Sequence, residues 1–185
     1  MTMDAVHPRV LGYLGRALSL ELTAVQQYMT QASLVELWGD KASADRFREE
    51  TVEEMQHAER IVQHMLSLGV APAASQLQAV THAPDLVGLL EHNAVLETQL
   101  INHYAEATRF CTVIRDEANA AFFQSLWDEE QHHGEELDAW LRPPPSSRSQ
   151  ASSSSPWCCS SSQRLWKKAA LASSRITAQK RVASA

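Results

Sequence analysis

Two Glu-x-x-His tetrads, Glu54 to His57 and Glu130 to His133, each lie 33 residues downstream of an isolated glutamate, Glu21 and Glu97. Sliding the chain on itself by 76 residues superposes these two sets. The same shift carries Tyr28 onto Tyr104, Val25 onto Ile101, Ile61 onto Leu137 and Met65 onto Leu141. What repeats is therefore a pair of whole elements and not scattered acids. On a helix, residues three apart share a face, so each tetrad aims a carboxylate and an imidazole at one point. The repeat constrains the chain to an all-α arrangement of four helices whose inner faces converge six donors, Glu21, Glu54, His57, Glu97, Glu130 and His133.

The apolar periodicity gives the same four elements. Leu11, Leu14, Leu18, Glu21, Val25, Tyr28, Ala32 and Val35 follow three- and four-residue steps, which predicts an amphipathic helix over about residues 8 to 38. Pro8 suits its first turn and Gly39-Asp40 its end. A second helix is expected over about 42 to 68, with Phe47, Glu54, His57, Ile61, Met65 and Leu68 inward and Gly69 as its stop. The short link between these two predicts antiparallel packing. Residues 70 to 84, with Pro72 and Pro84, form a connection long enough to cross the length of a bundle. The third helix, about 85 to 114, turns Leu90, Ala94, Glu97, Ile101, Tyr104, Thr108 and Cys111 inward. The fourth, about 116 to 141, does the same with Phe123, Leu126, Glu130, His133, Leu137 and Trp140.

The net charge of -6 averages two unlike parts. Residues 1 to 142 hold all 22 acids and nine of the 16 bases, whereas residues 143 to 185 hold seven bases and no acid. An acidic bundle suits cations and argues against nucleic acid as a partner. The Ser-rich basic segment from residue 143 is expected to be a disordered tail beyond a 1 to 142 domain. Cys111, Cys158 and Cys159 form no zinc or disulfide framework, which fits a reducing cytoplasm. No signal peptide or membrane-spanning run is apparent, so neither secretion nor membrane insertion is expected.

Each candidate ligand interrupts an apolar stripe, where an uncompensated carboxylate would cost several kcal/mol or shift its pKa. Four carboxylates and two neutral imidazoles balance two divalent ions, and that donor set suits iron or manganese better than zinc. Mutual hydrogen bonding among protonated acids is the bland alternative. Glu129 and His132 are also three apart, but the repeat favours Glu130 and His133 and leaves the former pair as flanking candidates. Tyr28 and Tyr104 could hydrogen-bond ligand carboxylates, although core packing with a satisfied hydroxyl is the simpler reading. Glu49, Glu50 and Glu53 could guide a cation or form an ordinary solvated face. His64, His92 and His103 carry no comparable spacing.

On Glu21, Glu53 to Ala58, Glu97, and Glu129 to His133, together with Tyr28 and Trp38-Gly39, the chain resembles the bacterioferritins of the ferritin-like di-iron carboxylate family. The resemblance covers residues 7 to 141 and implies an antiparallel four-helix bundle with a long crossover between helices 2 and 3. It implies two Fe per subunit, with Glu21 and His57 on one, Glu97 and His133 on the other, and Glu54 and Glu130 bridging. Ferroxidase activity follows, oxidising Fe(II) with O2 or H2O2 for iron storage and detoxification. Met55 follows a core ligand and points toward an outer flank, where the family places a haem-ligating methionine, so the resemblance implies haem b between two subunits. A homo-oligomer is expected, a dimer or a 24-subunit shell, although no version of the family's fifth helix is recognisable here. A di-iron oxygenase or peroxidase and a non-enzymatic haem-binding bundle remain open as alternatives.

Overall fold

A computed structural model describes residues 6 to 72 and 76 to 142; the tail from residue 143, with Cys158 and Cys159, lies outside them. Four helices follow in order, α1 (Pro8–Leu37), α2 (Lys41–Ser67), α3 (Leu86–Val113) and α4 (Glu117–Leu141). Their ends fall within about two residues of the periodicity-based bounds. They form an antiparallel four-helix bundle, in which α1 packs against both α2 and α3. Among the described residues the bundle core and every candidate ligand belong to one compact unit that extends to Leu137.

Local chemistry accounts for the ends. Pro8 occupies the first turn of α1, where its missing N–H costs nothing. Asp40 caps α2 by accepting from Ser43 N at 3.1 Å, and Asp116 does the same for Asn119 N at 3.2 Å. Both turns need a left-handed residue just before that aspartate. Gly39 supplies it at φ 88°, and Arg115, its counterpart under the 76-residue shift, adopts φ 60°. The repeat thus extends through both interhelical turns, down to the capping pairs Asp40/Ser43 and Asp116/Asn119.

The interior is filled by Leu14, Tyr28, Phe47, Ile61, Leu100, Tyr104, Phe123, Leu126 and Leu137, all fully buried or nearly so. Each such side chain stabilises the fold by about 1.5–3 kcal/mol through loss of apolar surface from water. Leu11, Val25, Ala94, Ile101, Thr108 and Trp140, expected inward, are only half-buried. On α1 the reason is a second buried face that carries Ser19, Thr23, Gln27 and Gln31. The crossover lies along it: Gln76 N donates to Ser19 Oγ at 3.1 Å, Gln78 N to Thr23 Oγ1 at 3.2 Å and Thr81 Oγ1 to Gln27 Oε1 at 3.0 Å. Gln27 and Gln31 are joined in turn through Asn93 of α3, with contacts of 2.7 and 2.6 Å. Four-residue steps on α1 therefore hold a strap whose described residues 76 to 83 have no regular structure of their own.

Candidate metal centre

Each helix delivers its acid to the middle of the bundle: Glu21 from α1, Glu54 from α2, Glu97 from α3 and Glu130 from α4, none more than 1% exposed. His57 and His133 sit one turn beyond the α2 and α4 acids and are 4% and 6% exposed. Their rings stack with centroids 5.4 Å apart, and both turn Nδ1 toward the carboxylates. The two oxygens of Glu54 face different imidazoles, Oε2 at 3.6 Å from His57 Nδ1 and Oε1 at 3.3 Å from His133 Nδ1. Glu130 does likewise, with Oε1 at 2.8 Å from His57 and Oε2 at 3.9 Å from His133. Donor atoms of Glu54, His57, Glu130 and His133 all lie within 4.8 Å of one another. Glu21 Oε2 approaches His57 Nδ1 to 3.7 Å, and Glu97 interacts directly with Glu130.

The surroundings obey the same shift. Tyr104 donates to Glu21 Oε1, and Tyr28 donates to Glu97 Oε1 at 2.5 Å. Each tyrosine thus packs in the core and also fixes an acid of the opposite half. On the outer side, His57 Nε2 meets Glu129 at 3.0 Å and His133 Nε2 meets Glu53 at 2.8 Å. These contacts leave each Nδ1 available as the inward donor atom. The alternative pair of Glu129 and His132 is split: Glu129 turns to His57 from outside, while the largely exposed His132 meets Glu136 at 3.3 Å.

Burial and mutual repulsion dominate the electrostatics. Desolvation, aided by the Glu54 charge, pushes Glu21 and Glu130 well above the carboxylate range and Glu97 up to about 7. Burial also acts to raise Glu54, but the His133 and His57 imidazoles beside it overcome that effect and bring Glu54 down to about 2. Burial disfavours the imidazolium forms, yet Glu130, Glu21 and Glu54 push His57 far upward, and Glu54 raises His133 to about 9.

Well-aligned hydrogen bonds are lacking at the centre of the cluster. Glu21 Oε2, both oxygens of Glu54 and of Glu130, Glu97 Oε2 and Nδ1 of both histidines are buried without a well-aligned hydrogen-bond partner. His57 Nδ1 and Glu130 Oε1 are only 2.8 Å apart but are out of hydrogen-bonding alignment. Orphaned buried polar atoms are costly and rare. Here eight of them belong to the six candidate ligands, four of which bring donor atoms within 4.8 Å of one another, and no lysine or arginine is among the described buried residues. The donor set, four carboxylates and two imidazoles, fits a pair of divalent cations of the iron or manganese type.

A groove of about 940 Å³ runs along α2 and α4, lined by Glu49, Val52, Glu53, Asp128 and Glu129 among others, with His57 and His133 also on its wall. Met55 is 54% exposed on the outer flank, as its position after a core ligand requires, and Val52, one turn away, is 51% exposed. His64 stacks on Phe122 and meets Asn119 at 2.7 Å, and His103 Nε2 lies 2.9 Å from Tyr13 O, so both have packing roles.

Periodicity alone did not single out the outer partners Glu53 and Glu129 as a matched pair, nor Arg60 and Ser125 beside Glu129. The signal for the first pair exists, because the 76-residue shift superposes them. For Arg60 and Ser125 none exists, because the same shift sets Glu136 against Arg60 and Glu49 against Ser125.

The ferritin profile, described as a ferritin-like domain, matches residues 11–143. The bacterioferritin of Rhodobacter capsulatus is 32% identical over 130 residues, 70% of this chain and 81% of its own length. That of Mycolicibacterium paratuberculosis is 28% identical over 134 residues, 72% of this chain and 84% of its own. Among solved structures, a Rhodobacter capsulatus bacterioferritin with a metal-free dinuclear site and haem iron in a crystallographic special position superposes with a TM-score of 0.71. It is 30% identical, over 75% of this chain and 86% of that one.

Proposed function

The chain belongs to the bacterioferritin family, within the ferritin-like domain family, and we propose that it takes up Fe(II) as substrate at the centre of the bundle, oxidises it to Fe(III) and so serves iron storage and detoxification. The observation that carries this reading is a set of eight buried donor atoms from four helices that lack a well-aligned hydrogen bond, with those of Glu54, His57, Glu130 and His133 within 4.8 Å of one another. Glu21 and His57 hold one iron and Glu97 and His133 the other. Glu54 and Glu130 bridge, a role supported by the way each turns its two oxygens to different imidazoles.

The reaction balances with O2 or H2O2 as oxidant. Two Fe(II) lose one electron each; O2 with two protons leaves as H2O2, or H2O2 with two protons leaves as two waters. The chain contributes position and charge. Four carboxylates neutralise two divalent ions and favour the trivalent product, and the bridging acids keep both metals within reach of one oxidant. Tyr104 and Tyr28 hold Glu21 and Glu97 in place, and Glu129 and Glu53 hold the two imidazoles with Nδ1 inward.

Met55 is the residue that would hold haem b, shared with a second copy of the chain, and the haem would supply a one-electron redox group there. Its exposure on the outer flank supports this assignment, and the haem iron of the Rhodobacter capsulatus relative is in keeping with it. A homo-oligomer follows, at least a dimer. No helix among the described residues is long and apolar enough to cross a membrane, and the cysteine pattern fits the cytoplasm as the site of action.

Paired substitutions test the reading. Glu54→Ala should slow Fe(II) oxidation more than about tenfold, since even residues that only orient ligands cost 10–100-fold in metal affinity or activity, and should leave any haem absorption intact. Met55→Leu should abolish haem absorption and spare oxidation. Unchanged oxidation in Glu54→Ala would falsify the bridging assignment.

A further inference from the structure

The two halves of the centre differ in what holds their outer carboxylates. Glu129 Oε2, which meets His57 Nε2 at 3.0 Å, is also gripped by Arg60 Nη1 at 2.5 Å, while Arg60 Nη2 donates to Ser125 Oγ at 2.9 Å. Glu53, which meets His133 Nε2 at 2.8 Å, is 52% exposed and has no arginine or lysine ion-pair partner within 4.0 Å among the described residues. Position 136, set opposite Arg60 by the repeat, is a glutamate turned to His132 at 3.3 Å and Arg46 at 3.9 Å. One histidine therefore has a clamped outer partner and the other a loose one.

We propose that Arg60 is a positioning residue that makes the two metal positions unequal, so that the Glu21/His57 position takes up a divalent cation first and more tightly than the Glu97/His133 position. The proposal rests on the di-metal reading above. A carboxylate on the outer ring nitrogen sets both tautomer and ring orientation, and hence how well the inner nitrogen is aimed. Glu53 must give up side-chain freedom to perform that service, whereas Glu129 is already ordered by a rigid guanidinium fork. Arg60 and Glu129 are each about a third exposed or more, so their ion pair adds little to overall stability. Its effect falls on the aim of His57, and Arg60 can be replaced without loss of the fold.

The test is an anaerobic titration of the metal-free, full-length protein with Co(II), read by its visible d–d absorption and by calorimetry. Wild type should bind two equivalents with distinct affinities. Arg60→Gln should weaken the tighter equivalent about 10–100-fold, the usual cost of removing an orienting partner, and leave the weaker one unmoved. Arg60→Lys keeps the charge but cannot span both Glu129 and Ser125, so it should fall between the two. Two equal affinities in the wild type, or a substitution that shifts both phases together or neither, would overturn the proposal. Binding of fewer than two Co(II) per chain would remove the di-metal reading as well. Two Co(II) that respond to Glu54→Ala but not to Arg60→Gln would sink this proposal alone.

Discussion

Glu54 keeps its charge where the other three central acids tend to lose theirs, because the two imidazoles that face its oxygens outweigh the effect of burial. The stability of the metal-free protein should depend on pH accordingly. Glu97 titrates at about 7 in the fold against an ordinary 4.5, so between those values the folded chain holds a proton that the unfolded chain has released. Stability falls as pH rises through that window. His133, raised from 6.5 to about 9, acts in the same direction, since its favoured charge is lost on the way up. Glu54 contributes stability that is present above 4.5 and lost only as pH falls toward about 2. We therefore expect the melting temperature of metal-free protein to drop between about pH 5 and pH 9, and bound divalent metal to offset the drop, because its ligands must be free of protons. Differential scanning calorimetry with and without Co(II) checks both; a flat metal-free profile would contradict the coupling among these six groups.

At the scale of the element, the helices and their turns follow one repeated design with one costly departure. Gly39 takes a left-handed conformation freely, whereas Arg115 carries a Cβ into the same region at φ 60°. Arg115→Gly should raise stability by up to about 1 kcal/mol, the scale of the strain that the Cβ imposes, less the entropy that glycine returns to the unfolded chain. Urea unfolding measures it, and a loss of stability would show that the Arg115 side chain contributes more than its backbone costs. The helices were legible because apolar steps of three and four, Pro8, Asp40 and Gly69 all act locally. The second buried face of α1 was not, because Ser19, Thr23 and Gln27 look like an ordinary polar face until the crossover covers them.

For the whole molecule, that crossover ties the two helix pairs together through side chains and not through regular structure. Thr23 both donates to Ser19 O at 2.7 Å and accepts from Gln78 N at 3.2 Å, so Thr23→Val preserves shape and strands a part-buried backbone N–H. A loss of about 1 kcal/mol is expected, at the low end for an unsatisfied donor because the strap is partly solvated. Faster amide exchange at Gln78 should accompany it, and unchanged exchange would mean that the contact does not hold the strap. The groove along α2 and α4 has the opposite effect, since it leaves the imidazole edges within reach of solvent while the acids stay buried.

The chain's own periodicity determined the four helices, the identity of six converging residues and the equivalence of the two halves, because residue spacing on a helix decides which side chains share a face. It also distinguished Glu130 and His133 from Glu129 and His132, as members of the repeated set. Only the tertiary structure decided which tyrosine serves which carboxylate, that Nδ1 and not Nε2 looks inward, and that Arg60 clamps one outer glutamate while its counterpart stays loose. Those features depend on rotamers and on contacts between helices far apart in sequence, and no spacing along one helix encodes them.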